Sequence, residues 1–140
     1  EDVVAVSVRL EGLLEGWLVL ALPERDAERL AEALGYPVPG AGRWGELAES
    51  AVMESGNIVG SAFVSAIANM MHGKLLLSIP TLARGGGREV LDALVNRDAG
   101  RVALATRFSC HAPTPLEGLI LVMPDPARIP ALLESLRRKG

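Results

Sequence analysis

A single cysteine, Cys110, rules out an intramolecular disulfide and suits a reducing compartment. Aromatic residues make up only 4% of the chain, so its core is built from aliphatic side chains. Glutamine is missing, and lysine occurs only at Lys74 and Lys139. The net charge of -3 gives no basic face of the kind that binds a phosphate backbone, which argues against a nucleic-acid partner. Two histidines and one cysteine are too few soft ligands for a zinc site. No apolar run approaches the roughly 20 residues of a spanning helix, and no charged-then-apolar leader opens the chain. Together these absences predict a cytoplasmic protein with no membrane insertion.

What remains is 140 residues, 49% hydrophobic and 22% charged, which fits one globular domain able to bury a core without disulfide or metal. Residues 3–10, VVAVSVRL, are valine-rich and partly alternating, and read as a strand. EGWLVLALP, 15–23, reads as a second, buried strand joined to the first by a hairpin turn. Pro23 then opens an amphipathic helix with acidic first-turn residues and a stop at Gly35. Residues 36–45 form a Pro/Gly loop. The longest helical pattern runs from Glu46 to about His72.

Beyond Gly73, KLLLSIP (74–80) reads as a strand stopped by Pro80, and ARGGGRE (83–89) as a flexible loop. EVLDALVNRD is either a short helix or a turn. Strands at 100–110 and 116–124 and a closing helix from Asp125 complete the series. LEGWLVLALPERDAERLAEAL and LEGLILVMPDPARIPALLESL share one order: Leu-Glu-Gly, apolar strand, proline, helix. Each copy follows a strand, so the chain contains a duplicated unit. The long helix precedes the second copy, and its counterpart before the first copy is expected upstream of residue 1.

A helix advances about 100° per residue, so Ser50, Glu54, Asn57, Ser61, Ser65, Ala68 and His72 fall on one stripe. The other faces carry Val52, Met53, Ile58, Val59, Phe63, Ile67 and Met70, which are expected to be buried. The plain account of the stripe is a solvated face. Such faces normally use strong helix formers, however, whereas serine and asparagine are weak ones. Gly56 and Gly60 weaken the helix further and permit close approach by a neighbour. Glu54 and Asn57, one turn apart, project side by side. A carboxamide can hold one water for in-line attack on phosphorus, and a carboxylate can pair with a cationic group.

These residues carry a resemblance. Ser50-Ala51-Val52-Met53-Glu54-Ser55-Gly56-Asn57 is similar to the Asp/Ser-x3-Glu-x2-Asn signature of the CheC/CheX/FliY family of chemotaxis phosphatases, most of all CheC. The continuation IVGSAFVSAIANMMHGKLLLSIP and the internal duplication resemble the same family. The resemblance implies an α+β (α/β) fold of duplicated strand-strand-helix units, with the long signature helix packed on a mostly antiparallel sheet. Residues 1–140 then form a single CheC-like domain lacking the first signature helix. It also implies a phosphatase acting on phosphorylated CheY. Asn57 orients the attacking water, Glu54 pairs with the regulator's lysine, and Ser50 and Ser61 are candidate docking positions. The resemblance implies no cofactor or metal of its own, because the regulator supplies Mg2+. CheC-type members also bind the receptor deamidase CheD, and FliY-type members join the flagellar switch. A non-catalytic adaptor for such partners is the alternative reading.

Other candidates rank lower. Cys110 and His111 are adjacent at a strand end, where neighbouring side chains diverge, so a buried structural cysteine is favoured over a catalytic pair. His72 suits a helix cap. RGGGRE lacks the setting and the Lys-Ser/Thr ending of a phosphate loop. Trp44 is equally suited to a packing staple or to an interface.

Overall fold

The computed structural model describes residues 2–38, 44–90, 92, 104–111, 114–125, 127, 130, 133–134 and 137. The valine-rich opening forms strand β1 (Asp2–Gly12), and the apolar run after it forms β2 (Gly16–Pro23). The two pair antiparallel from Val3↔Pro23 to Leu10↔Gly16. Pro23, which has no N–H to leave unpaired, caps helix α1 (Glu24–Ala33), and Glu24 and Asp26 sit at the positive end of its dipole. Ala27 and Ala31 are wholly buried, and their small size lets α1 lie close to the sheet. Helix α2 (Glu46–Met71) follows. Strands β3 (Leu75–Leu77), β4 (Thr81–Gly86), β5 (Leu104–Cys110) and β6 (Leu116–Pro124) complete the described elements.

The sheet order is β3-β1-β2-β6-β5, with β4 also on β1, and every described pairing is antiparallel. At the centre β2 pairs β6 from Gly16↔Pro124 to Ala21↔Leu119. The hairpins β1–β2 and β5–β6 therefore flank an approximate two-fold axis, and the sequence duplication becomes symmetry in the sheet. The segment after β6 is helical at positions 130, 133, 134 and 137, and the rest of it lies outside the described residues.

One expectation fails here. The strand after α2 does not end at Pro80, and residues 83–86 are not a loop. Leu77 pairs Leu10 and Thr81 pairs Ser7, so residues 78–80 oppose only 8 and 9 in a β-bulge. The Ser78 N–H donates to the Arg9 carbonyl at 3.0 Å, and the Arg9 N–H donates back to Ser78 Oγ at 2.8 Å. Pro80, which has no N–H, sits in the interruption. Pairing then resumes along β4 as far as Gly86↔Asp2. Residues 87–90 form a helical turn that sets Val90 against Ala5, Val19 and Met123 on the sheet face away from α2. Of the helix-or-turn segment EVLDALVNRD, positions 89, 90 and 92 are helical and the others lie outside the described residues.

On the opposite face, Val4, Val6, Val8 and Leu10 of β1 and Leu18, Leu20 and Leu22 of β2 build the main core with the helices. Helix α2 meets them with Ala48, Ala51, Val52, Gly56, Gly60 and Met71. By length and composition this 26-residue helix is apolar enough to cross a membrane, contrary to the expectation from the sequence. Its inner face is committed to its own sheet, with Val52 fully buried, and spanning would require giving up that contact.

The two helix glycines face this sheet, not a partner. A Cβ at Gly56 would lie 2.5 Å from Val6 Cγ1 and 2.9 Å from Val6 Cβ, whereas one at Gly60 would lie 3.2 Å from Leu18 Cδ2. Alanine gains about 1 kcal/mol of helix propensity over glycine, and overpacking costs about 1–3 kcal/mol. At Gly56 the obstacle includes a rigid Cβ, so Gly56→Ala is expected to destabilise by about 1–2 kcal/mol. At Gly60 a rotatable methyl yields, and Gly60→Ala is expected to be near neutral. Urea unfolding midpoints distinguish the two. Equal shifts would mean that α2 is not seated on Val6.

Candidate active site on helix α2

The N-terminal half of α2 is clamped from two sides. The Trp44 Nε1–H donates to Glu24 Oε1 of α1 at 3.2 Å. The Arg84 guanidinium of β4 lies 5.7 Å from the centre of the Trp44 ring, and its Nε is 3.3 Å from Glu49 Oε2 on α2. Trp44 thus packs as a staple, the first of the two roles open to it, and it also lines an open hollow. Gly45 caps the helix through backbone alone, its carbonyl accepting the Glu49 N–H at 3.1 Å. At the far end His72 takes a left-handed conformation (φ 49°) and is exposed, which agrees with the expected cap.

The polar stripe faces outward. Ser50, Glu54, Ser61, Ser65 and His72 are exposed, while Asn57 and Ala68 are half-buried along one border. Among the described residues, no hydrogen bond holds the Asn57 carboxamide. Ser55, by contrast, returns its hydroxyl to the Ala51 carbonyl at 3.1 Å and is occupied within the helix. Glu54 and Asn57 therefore stand together on the outer surface, with Ser50 and Ser61 one turn to either side.

Two residues expected in the interior are not there. Ile58 is 61% exposed and Met70 is 60% exposed. Helix α2 touches the sheet and α1 along one side only, so the apolar residues beyond that side are left outside. The centre of the exposed face runs through 54, 58, 61, 62 and 65, slightly rotated from the stripe read off the sequence. Cys110 is exposed as well, not buried, because β5 is an edge strand with little over it. Among the described residues no cluster of His, Cys, Asp or Glu is arranged for a metal.

The larger hollows lie elsewhere. One of about 500 Å³ is lined by Tyr36, Pro37, Trp44 and Leu47, and one of about 410 Å³ by Val3, Ala21, Arg107, Phe108 and Glu117. A buried carboxylate that sequence reading passed over, Asp26, accepts the Glu117 N–H at 3.2 Å and pairs with Arg29 at 3.4 Å. It ties α1 to the start of β6. The Glu54–Asn57 pair stands on a convex ridge, a shape that favours a macromolecular substrate over a small one, since small ligands are held in concave sites.

No family model matches the chain. Its fold is shared with FliY of Thermotoga maritima over 99% of this chain and 72% of that one, at TM-score 0.76 and 17% identity. It is shared also with a chain of the CheX–CheY–BeF3–Mg2+ complex of Borrelia burgdorferi over 85% and 75%, at TM-score 0.61 and 22% identity. In sequence the chain is 27% identical over 136 residues to a Halobacterium salinarum protein that carries the provisional name CheY-P phosphatase CheC1. That match covers 95% of this chain and 69% of the relative. The likeness in sequence is thus to a protein named for CheC, and the likeness in fold to FliY and to a chain of the CheX–CheY complex.

Proposed function

We propose that this chain hydrolyses the aspartyl phosphate of the chemotaxis response regulator CheY in the cytoplasm. The observation that carries the reading is the pair itself: a carboxylate and a carboxamide one turn apart, outward, on a convex helix. The similarity to a protein named as a CheY-P phosphatase, and to a fold solved in complex with CheY, BeF3 and Mg2+, supports it.

In this mechanism α2 lies with its outer side against the phosphorylation site of the regulator, bringing the middle of the helix to the acyl phosphate. The Asn57 carboxamide accepts a hydrogen bond from a water molecule and sets its oxygen in line with the P–O bond to be broken. The water oxygen bonds to phosphorus, the aspartyl carboxylate leaves with the electron pair, and inorganic phosphate carries away the water's protons. Mg2+ and lysine of the regulator neutralise the phosphoryl charge, so the chain supplies no metal of its own. Glu54 pairs with that lysine and fixes the register, while the hydroxyls of Ser50 and Ser61 lie within the contact.

The test is release of inorganic phosphate from phosphorylated CheY with and without the purified chain. Unchanged dephosphorylation at saturating chain would end the proposal. Glu54→Ala removes a charge-assisted contact worth about 1.5–3 kcal/mol, and is expected to weaken binding of the regulator about tenfold or more. Titration against CheY loaded with Mg2+ and BeF3 measures this directly.

A non-catalytic adaptor is the second reading. It draws on a separate aliphatic residue, Ile79, which stands 86% exposed in the bulge between β3 and β4. Capture of CheD or a flagellar switch component, with no turnover of phosphorylated CheY, would favour it.

A further inference from the structure

Seven residues separate Leu47 from Glu54 and four separate Glu54 from Ile58, so the three side chains leave α2 within about 40° of one another. Along the axis they are spaced by about 10 Å and about 6 Å. Leu47 is 68% exposed and Ile58 is 61% exposed, so the carboxylate of Glu54 lies between two uncovered aliphatic side chains. On its other side Leu47 borders the hollow of about 500 Å³ that Tyr36, Pro37 and Trp44 line. Uncovered aliphatic surface thus stands on both sides of Glu54, Leu47 joining its own to the hollow and Ile58 lying one turn beyond the carboxylate.

We infer that Leu47 and Ile58 are the apolar anchors by which α2 holds phosphorylated CheY, the hollow beside Leu47 receiving part of the same partner. The inference rests on the phosphatase reading above and deepens it. A protein that contacts both Glu54 and Asn57 comes against Ile58, which lies one turn beyond Glu54 and only about 40° from it around the helix. Charge agrees with this occupant. Between residues 46 and 71 the helix carries Glu46, Glu49 and Glu54 and no lysine or arginine, which complements a site holding Mg2+ and a lysine. The arrangement is that of an interface with apolar anchors around one desolvated charge pair. The carboxylate fixes register, and the flanking side chains exclude water from the pair. They touch the partner and not the reacting atoms, so their contribution is to affinity.

The experiment measures Kd for CheY loaded with Mg2+ and BeF3, and KM and kcat for phosphorylated CheY. The variants are Leu47→Ser, Ile58→Ser, the double variant, Asn57→Ala and Met70→Ser. Each anchor substitution is expected to raise Kd and KM about tenfold, and the double variant about a hundredfold, with the loss in affinity and not in turnover at saturation. Met70 is equally exposed but points about 120° away from Ile58 around the helix, so Met70→Ser should leave Kd unaltered and controls for general loss of apolar surface. If Leu47→Ser and Ile58→Ser bind like wild type while Asn57→Ala abolishes turnover, the anchors are wrong and the phosphatase reading survives. Equal weakening by Met70→Ser would also overturn the anchors. If wild type neither binds the loaded regulator nor speeds its dephosphorylation, both readings fall together.

Discussion

Asn57→Ala should lower turnover of phosphorylated CheY about a hundredfold at saturating regulator while leaving its binding intact. The reasoning is geometric. A carboxamide contributes no proton transfer, so its part is to place one water on the line of attack, and misplacement of a reacting group by about 1 Å costs on the order of a hundredfold. Unfolding would not explain such a loss. Alanine is the better helix former by up to about 0.7 kcal/mol, and no described hydrogen bond within the chain is given up. Stability should therefore hold or rise as activity falls, a combination that thermal unfolding and phosphate release measured on one preparation will show. Asn57→Asp sharpens the experiment, because it keeps the shape but brings a negative charge towards the phosphoryl group. It should be as inactive as the alanine variant. Turnover retained by either would remove water orientation from the mechanism.

The elements that the sequence announces are those whose signal is local. Strands β1 and β2 and helices α1 and α2 stand where apolar spacing and the flanking Pro and Gly put them, because neighbours along the chain set both period and punctuation. β4 escapes that reading. Its Gly85 and Gly86 suppress strand propensity, and it forms because β1 is eleven residues long and offers an edge to which the bulge at residues 78–80 redirects the chain. The pairing partners are far apart in sequence, so nothing local in ARGGGRE signals them. The same limit applies to α2. Spacing places Glu54 and Asn57 on one stripe, but which arc of the helix meets the sheet depends on Val6, Val8 and Leu18. Hence Ile58 is outside where its apolar character suggests a core position, and the uncovered aliphatic residues around the pair become visible only in the fold.

The duplication leads to the largest stability effect expected in the chain, at Gly16. Both copies contain Leu-Glu-Gly, and the two glycines stand at opposite ends of the β2–β6 seam, Gly16 opposite Pro124 and Gly118 just before Leu119, yet the two positions differ in kind. Gly16 has φ 148°, a backbone conformation essentially restricted to glycine, and a Cβ there would run into the Met123 carbonyl oxygen and lie 2.8 Å from Pro124 Cα. Its obstacles are backbone, held by the β2–β6 ladder. Gly118 is opposed instead by side chains, Leu22 Cδ2 at 2.6 Å and the Phe108 ring at 2.7 Å, which can turn aside. Strain of about 1–3 kcal/mol from the dihedral and overpacking of similar size act together at Gly16, whereas only the second acts at Gly118. Gly16→Ala is expected to cost about 3–4 kcal/mol and to lower the melting temperature by about 10 °C, and Gly118→Ala about half as much. Because β2 and β6 form the seam between the copies, the loss should appear as one cooperative transition at lower temperature and not as partial melting of one hairpin. A Gly16→Ala protein as stable as wild type would mean that the central strands do not approach in this register, and the placement of α2 upon them would fall with it.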